Sequence, residues 1–214
     1  MQSVALIDYG SGNLRSAEKA LQKAAASRSR PASVVTTDDP ELIAAADLVV
    51  LPGVGAFAAC MHALESRPGV IEAITSAVKD KGRPFLGICV GMQLLATRGL
   101  EFGETAGLGW IDGDVKRIEP AGAHFKVPHM GWNSLDGALP KVMFDGLPTA
   151  PHMYFTHSFA IFPAHAGDVA ATTDHGGRFA AAVLKDNVAG VQFHPEKSQA
   201  AGARLLANIL EWRP

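Results

Sequence analysis

The sequence has few cysteines and no excess of basic residues, the features typical of disulfide-bonded secreted proteins and of proteins that bind nucleic acid or anionic lipid. Only two cysteines, Cys60 and Cys89, occur among 214 residues, too few for a scaffold held together by disulfides. Lysine plus arginine (19) nearly balance aspartate plus glutamate (21), for a formal net charge of −2. Such a balance offers no basic face to nucleic acid and no polybasic segment to anionic lipid.

The chain also has little that resembles a targeting segment or a membrane span. The N-terminus runs almost directly into apolar residues 4–7, without a charged leader or a small-residue cleavage site. The most apolar window, residues 42–60, is interrupted by Asp47, Pro52 and Gly53, so we interpret it as a strand, a turn and a helix. With so few cysteines, these features lead us to expect a cytoplasmic protein.

What the chain does have is apolar residues enough for one substantial core, 48% of the total. We therefore expect a single domain over residues 1–214. Strand-like apolar runs alternate with helical patterns through the first hundred residues, which predicts an α/β fold with a doubly wound, mostly parallel sheet flanked by helices. The predicted strands are residues 3–9, 33–36, 47–51 and 85–88, and the predicted helices are 14–26 (capped by Asn13), 40–45, 56–65, 70–80 and 92–96.

The texture changes after about residue 100, where glycines punctuate short apolar runs. This pattern predicts a smaller antiparallel β portion in the C-terminal half of the chain. The runs that favour antiparallel strands include residues 114–118 and 153–159. Residues 179–184 and 188–193 are two further predicted strands, followed by an amphipathic C-terminal helix over 200–212.

Residues 83–93, R-P-F-L-G-I-C-V-G-M-Q, are typical of a strand, a tight turn and a helix with a thiol at the turn. Gly87 and Gly91 flank Cys89 at alternate positions, the cysteine counterpart of the G-x-S-x-G nucleophile elbow. Free cysteines are often simply buried. This stretch alone therefore leaves a nucleophile and a packing residue both open.

A second candidate stretch, His194-Pro195-Glu196, follows the predicted strand 188–193. A thiol needs a neighbouring imidazole to become a nucleophile at neutral pH, and the imidazole needs an acceptor to hold its tautomer. His194 and Glu196 would meet both needs, although His194 is one of eight histidines and an ordinary packing role stays open. Parallel strands end at one edge, so we expect the Pro52-Gly53-Val54-Gly55 turn to lie near Cys89.

The combination resembles the class I (triad) glutamine amidotransferases, through G-I-C-V-G-M-Q at 87–93, F-H-P-E-K-S at 193–198 and an oxyanion turn, P-G-V-G, at 52–55. The resemblance covers essentially the whole chain. Within that class it is similar to the glutaminase subunits of imidazole glycerol phosphate synthases of histidine biosynthesis. The supporting stretches are I-D-Y-G-S-G-N at 7–13, P-G-V-G-A-F at 52–57, P-H-M-G-W-N at 128–133, which is the most diagnostic, and Y-F-T-H-S-F at 154–159.

The resemblance implies a triad of Cys89, His194 and Glu196 that hydrolyses glutamine to glutamate and ammonia through a γ-glutamyl thioester. An oxyanion site would be formed by N–H groups of Val90 and of the Gly53-Val54 turn, whose peptide would rotate into place only when a partner has bound its own substrate. The glutamine-binding residues that the resemblance implies are Gly55, Gln93, Tyr154, His157, Ser158 and Phe159.

The resemblance also implies a separate (β/α)8-barrel cyclase subunit that receives the ammonia in a heterodimer. Residues expected to face it are Asn13, Met130, Trp132 and Lys197. We expect no metal, because the remaining histidines have no ligands at metal-binding spacing, and no cofactor. Cys60 is expected to be an inert packing thiol.

Three alternatives stay open. The chain could serve a different amidotransferase that also docks on a barrel, such as the one in vitamin B6 synthesis. It could be a regulatory module that has kept the fold and lost turnover, although an intact triad argues against this. A general cysteine hydrolase of the same architecture would need the elbow but not Gln93.

Overall fold

A seven-stranded sheet runs through the middle of the structure, a computed structural model that describes residues 1–10, 12–27, 31–122 and 124–214. The strands of the described residues are β1 (Gln2–Ile7), β2 (Ala32–Thr37), β3 (Leu48–Gly53), β4 (Phe85–Cys89), β5 (Ala96–Gly99), β6 (Thr105–Ala106), β7 (Ile111–Arg117), β8 (His129–Ser134), β9 (His152–His157), β10 (Phe159–Pro163), β11 (Val169–Asp174), β12 (Arg178–Lys185) and β13 (Val188–Val191). The α-helices are α1 (Leu14–Ala26), α2 (Pro40–Ala45), α3 (Phe57–Glu65), α4 (Val70–Thr75), α5 (Val90–Gln93), α6 (Lys141–Phe144) and α7 (Gln199–Glu211).

The strand order of the large sheet is β11-β12-β13-β4-β3-β1-β2. The five strands from β13 to β2 are parallel, and β12 and β11 extend the sheet in the antiparallel sense. Every residue of β3 and β4 is buried, as uninterrupted apolar runs predict for strands covered on both faces. The predicted α/β class with a mostly parallel sheet is thereby confirmed.

Two smaller sheets contain part of the predicted antiparallel portion, although β5 and β7 pair in parallel. The predicted strands 179–184 and 188–193 instead belong to the large sheet as β12 and β13, and β13 runs parallel to β4. One has the order β10-β7-β5-β6 and the other pairs β8 with β9. The predicted strand 153–159 is wrong as a single element, because the chain leaves β9 at Ser158 and enters a different sheet as β10. The β8–β9 pair is tied to the segment that follows β13, where Tyr154 O accepts the backbone N–H of His194 at 2.9 Å.

The helix predicted at 92–96 is also wrong in its bounds. The helix after the elbow is the single turn α5, and Ala96 already begins β5. Leu94 and Leu95 are fully buried, and the carbonyl of Leu94 accepts the N–H of Leu108. Tertiary pairing with the small sheet therefore overrides local helix propensity.

Other boundaries lie within a few residues of the prediction, and α1 and α2 match it. The predicted helix 70–80 is α4 continued by a π-helical turn, Ser76–Asp80. Asn13 precedes α1 with φ 70° and does not cap it through its side chain. Ser11, in the G-S-G turn, lies outside the described residues. Over the ranges that the structure describes, no helix is both long and apolar enough to cross a membrane.

Candidate active site

Cys89 stands at a sharp turn between β4 and α5. Its φ of 55° and ψ of −112° lie outside the regions that L-residues favour, a strained geometry of the kind found at functional sites. The flanking glycines are sterically required: a Cβ on Gly91 would collide with the carbonyl of Leu51, and one on Gly87 with the backbone of Gly91. The chain thus carries the elbow that the sequence pattern predicts.

Strand register brings the P-G-V-G turn beside the thiol. Gly53, the last residue of β3, is the direct neighbour of Cys89 in β4. A Cβ on Gly53 would lie 2.7 Å from the nitrogen of Gly91 and 2.9 Å from both Val90 Cβ and the Tyr9 hydroxyl. Only glycine fits between the two strand ends.

The carbonyls on either side of the Gly53-Val54 peptide are held by side chains. The Tyr9 hydroxyl donates to Pro52 O at 2.7 Å, and the Cys60 thiol donates to Val54 O at 3.3 Å. Burial raises the pKa of Cys60, so this thiol stays protonated and able to donate. Cys60 is buried as expected, but it also anchors the turn.

His194 and Glu196 form a buried pair in the segment that follows β13. His194 Nδ1 lies 2.8 Å from Glu196 Oε1, and both side chains are 3% exposed. Nε2 is buried and has no hydrogen-bond partner in the described part of the chain. Burial lowers the pKa of His194, but the nearby Cys89 sulfur and the Glu196 carboxylate outweigh it and raise the pKa to about 9.

A cavity of about 370 Å³ opens over this arrangement. Its wall contains most of the predicted site residues and three that the sequence analysis missed, Glu101, Pro128 and Thr156. The lining residues are Asn13, Val54, Gly55, Cys89, Val90, Gln93, Glu101, Pro128, Thr156, His157, Ser158, Phe159, His194 and Lys197. No motif marked Glu101, which lies in the loop after β5 and accepts the N–H of Phe57 through Oε2 at 2.8 Å.

Gln93, predicted to contact glutamine, is joined to a second buried amide. Its Nε2 donates to Phe159 O at 2.8 Å and to Gln192 Oε1 at 3.0 Å. Gln192 in turn places Nε2 3.7 Å from Cys89 Sγ. The sequence analysis missed Gln192; its polar side chain within the apolar strand predicted at 188–193 was the available signal.

His157, also predicted to bind glutamine, has both ring nitrogens occupied. Nδ1 lies 2.9 Å from Phe159 O and Nε2 lies 3.0 Å from His129 Nδ1. Burial lowers the pKa of His157 to about 3 and that of His129 to about 4. Both rings are therefore neutral at physiological pH. His129 Nε2 is met by Asn133 Nδ2 at 3.3 Å, which completes a chain of side chains behind the cavity wall.

Tyr154 contacts two of the predicted partner-facing residues, Trp132 and Lys197. The Tyr154 ring meets Trp132 edge-on at 6.0 Å, and Lys197 Nζ lies 5.8 Å above it. Tyr154 is half-buried and is not among the described residues that line the cavity. Met130 and Trp132 are 64% and 47% exposed.

Potential metal ligands do not gather in the described ranges of the chain. There, no group of three or more histidine, cysteine, aspartate or glutamate side chains is positioned to share an ion.

Comparison with known proteins agrees with this geometry. The family model "Glutamine amidotransferase class-I" matches residues 5–212. A solved structure described as a glutamine amidotransferase shares the fold, with a TM-score of 0.70 at 18% identity over 98% of this chain and 99% of that one.

Two curated relatives match over full length. "Imidazole glycerol phosphate synthase subunit HisH" of Caulobacter vibrioides is 62% identical over 100% of both chains. The protein of the same name from Rhodopseudomonas palustris is 52% identical over 99% of this chain and 100% of its own. The chain therefore belongs to the class I glutamine amidotransferases and, within them, to the family of these HisH subunits.

Proposed function

We propose that this chain is the glutaminase subunit of an imidazole glycerol phosphate synthase. The observation that carries the proposal is the position of Cys89: a strained thiol on the wall of a 370 Å³ cavity, beside a buried imidazole whose other nitrogen is held by a carboxylate. A thiol, a base and an orienting acid are what nucleophilic attack on an amide requires. The full-length identity to HisH subunits supports the same activity.

In the proposed reaction the sulfur of Cys89 attacks the side-chain amide carbon of glutamine after losing its proton to His194. The tetrahedral intermediate collapses when His194 Nε2 returns the proton to the leaving nitrogen, releasing ammonia and leaving a γ-glutamyl thioester. Water, deprotonated by the same imidazole, then releases glutamate and regenerates the thiol. Glu196 holds Nδ1 and stabilises the imidazolium without taking its proton.

The oxyanion is stabilised by the N–H of Val90, the first residue of α5, together with the N–H of Val54 in the neighbouring turn. Loss of one such donor costs on the order of 3 kcal/mol in the barrier. Since Tyr9 and Cys60 hold the carbonyls of Pro52 and Val54, we propose that the peptide between them is the one that rotates to open or close the site.

The charged and amide groups of the cavity wall are suited to bind glutamine. Glu101 supplies a carboxylate suited to the α-ammonium group, and Gln93 supplies a buried amide. Gly55, Ser158 and Phe159 offer backbone groups in the same cavity. Tyr154 does not line the described cavity, so it would affect glutamine binding indirectly, through its contacts with Lys197 and Trp132.

The partner that we propose is a separate (β/α)8-barrel cyclase in a heterodimer. The curated relatives that match over full length are named as subunits of a synthase, which supports a partner on a separate chain. Exposed methionine and tryptophan are enriched at protein interfaces; Met130 and Trp132 are exposed, and Asn13 and Lys197 line the cavity. Ammonia would pass through the barrel to a phosphorylated ribulosyl imidazole precursor, giving imidazole glycerol phosphate and aminoimidazole carboxamide ribotide. A reactive thiol favours the cytoplasm as the compartment.

The deciding experiment measures glutamate release with and without the cyclase and its ligand. We expect release to depend on both, and to disappear in Cys89→Ala and His194→Gln. His165→Gln is the matched control, because His165 is exposed and pairs only with Asp112 at 3.3 Å in the described contacts. Full activity in Cys89→Ala would refute the role of Cys89 as the nucleophile. Binding to a vitamin B6 synthase barrel but not to the cyclase would refute the assignment of this chain to an imidazole glycerol phosphate synthase.

A further inference from the structure

Gln192 is a buried polar side chain close to the proposed nucleophile. The reaction described above gives it no role. It is fully buried at the end of the central sheet, two residues before His194. Its Nε2 lies 3.7 Å from Cys89 Sγ, within the range of a hydrogen bond to sulfur. Burying a primary amide is costly unless its donors and acceptor are used.

The surrounding hydrogen bonds fix which end of the amide faces the thiol. Gln93 Nε2 lies between two acceptors, Phe159 O at 2.8 Å and Gln192 Oε1 at 3.0 Å. Because the backbone carbonyl can only accept, Gln93 must present its nitrogen there, and Gln192 must turn its oxygen toward Gln93. The nitrogen of Gln192 is then left to face the sulfur as a donor.

We propose that Gln192 is a catalytic residue that donates an N–H to the sulfur of Cys89, and that Gln93 holds it in that orientation. The inference deepens the proposed glutaminase mechanism and rests on Cys89 being its nucleophile. An amide can donate to the sulfur without competing with His194 for a proton, because it does not titrate. Hydrogen bonds to charged acceptors are the strong ones, so the bond is strongest when the sulfur has lost its proton.

The direct test is the rate at which iodoacetamide alkylates Cys89 in the full chain at neutral pH, read by mass spectrometry of the peptide that contains it. Gln192→Leu removes the donor at similar volume and should slow alkylation roughly tenfold, the scale of a hydrogen bond to a charged group. Gln192→Glu keeps the size but brings a negative charge toward the sulfur, and should slow alkylation further. Unaltered alkylation in both variants would overturn the proposal.

A purely structural role for Gln192 predicts a different pattern of kinetics. If the amide only supported the wall through Gln93 and Phe159, Gln192→Leu would raise KM for glutamine and leave alkylation unchanged. We expect the opposite, a lower kcat with little change in KM. Gln93→Leu is the matched variant: it breaks the link to Gln192 but keeps the donor, so its effect on alkylation should be smaller than that of Gln192→Leu. An equal or larger effect would contradict the donor role.

The experiment separates this inference from the proposed function. Alkylation is measured without glutamine or cyclase, so it reports on Gln192 even if the wild-type chain releases no glutamate. Thermal unfolding of each variant checks the fold. Should Gln192→Leu fail to fold, Gln192→Glu, which keeps the shape of the side chain, decides by the same criterion.

Discussion

Asn13 donates its side-chain amide to the oxygen of Glu196 that also holds His194. Asn13 Nδ2 lies 2.7 Å from Glu196 Oε1, and His194 Nδ1 lies 2.8 Å from the same atom. A residue 183 positions away in sequence thus reaches the acid of the proposed triad. Asn13 was expected to face the partner; from the cavity wall it also holds the carboxylate of the proposed catalytic pair.

Asn13→Ala should therefore lower kcat even when the cyclase is bound at saturation. Losing one hydrogen bond to a charged acceptor costs about 1.5 kcal/mol, or roughly tenfold in rate. Asn13→Asp should be worse, because a second carboxylate would face Glu196. Steady-state glutamate release in the complex measures both. An unaltered kcat with weaker cyclase binding would restrict Asn13 to the interface.

Gly53→Ala should disrupt the junction of β3 and β4. The new methyl group would press on Gly91 N and Val90 Cβ, and overpacking of this kind destabilises a protein by about 1–3 kcal/mol. We expect a lower thermal midpoint and loss of glutamate release. Gly177→Ala is the control, because nothing lies within 4 Å of its added Cβ. Equal effects of the two substitutions would contradict this account of the turn.

kcat/KM should decrease as the pH rises through about 9, which forms the alkaline limb of its pH profile. The pKa of His194 is raised to about 9, so above that pH the imidazole no longer carries the proton that the leaving ammonia needs. Glu196→Gln removes one of the contacts that raise the pKa and should move the limb to lower pH. A pH profile of glutamate release in the complex checks this, and an unmoved limb would show that another group titrates there.

Acid should destabilise the fold through the buried histidine pair. Burial lowers the pKa of His129 to about 4 and of His157 to about 3, below the 6.5 of an unfolded chain. The unfolded state then binds more protons, so the contribution to stability is complete above pH 6.5 and is lost as pH falls toward 4. His129 alone contributes on the order of 3 kcal/mol. Urea unfolding at several pH values gives the free energy of unfolding as a function of pH. Its slope against pH should be shallower for His129→Leu than for the wild type, and identical slopes would refute this assignment.

The sequence predicted the central sheet well because its strands are uninterrupted apolar runs closed by glycine. β3, β4 and α2 follow from composition and capping alone, and the elbow follows from two glycines around Cys89. The short α5 and the division between β9 and β10 could not be predicted, because pairing with a second sheet, distant in sequence, decides where those elements end.

Within the site, residues in motifs were found and residues that only the fold brings close were not. Gly53, Cys89 and His194 come from the ends of adjacent strands, so topology places them together. Gln192 and Glu101 reach the site through side-chain contacts that no spacing reveals. Asn13 is an intermediate case. Its position after β1 placed it at the edge of the sheet where the site lies, but its hydrogen bond to Glu196 depends on how the segment after β13 folds.

The central position of β4 has a consequence for how the molecule opens. This strand is bonded to β3 on one side and to β13 on the other, and such strands exchange their amide hydrogens only when the whole protein unfolds. The proposed nucleophile is thus attached to the part of the chain that unfolds last, while Glu101, which also lines the cavity, belongs to a loop between short strands. Deuterium should enter the rim of the cavity long before it enters the strand that carries Cys89, so the site can loosen around a glutamine molecule without displacing the sulfur that attacks it.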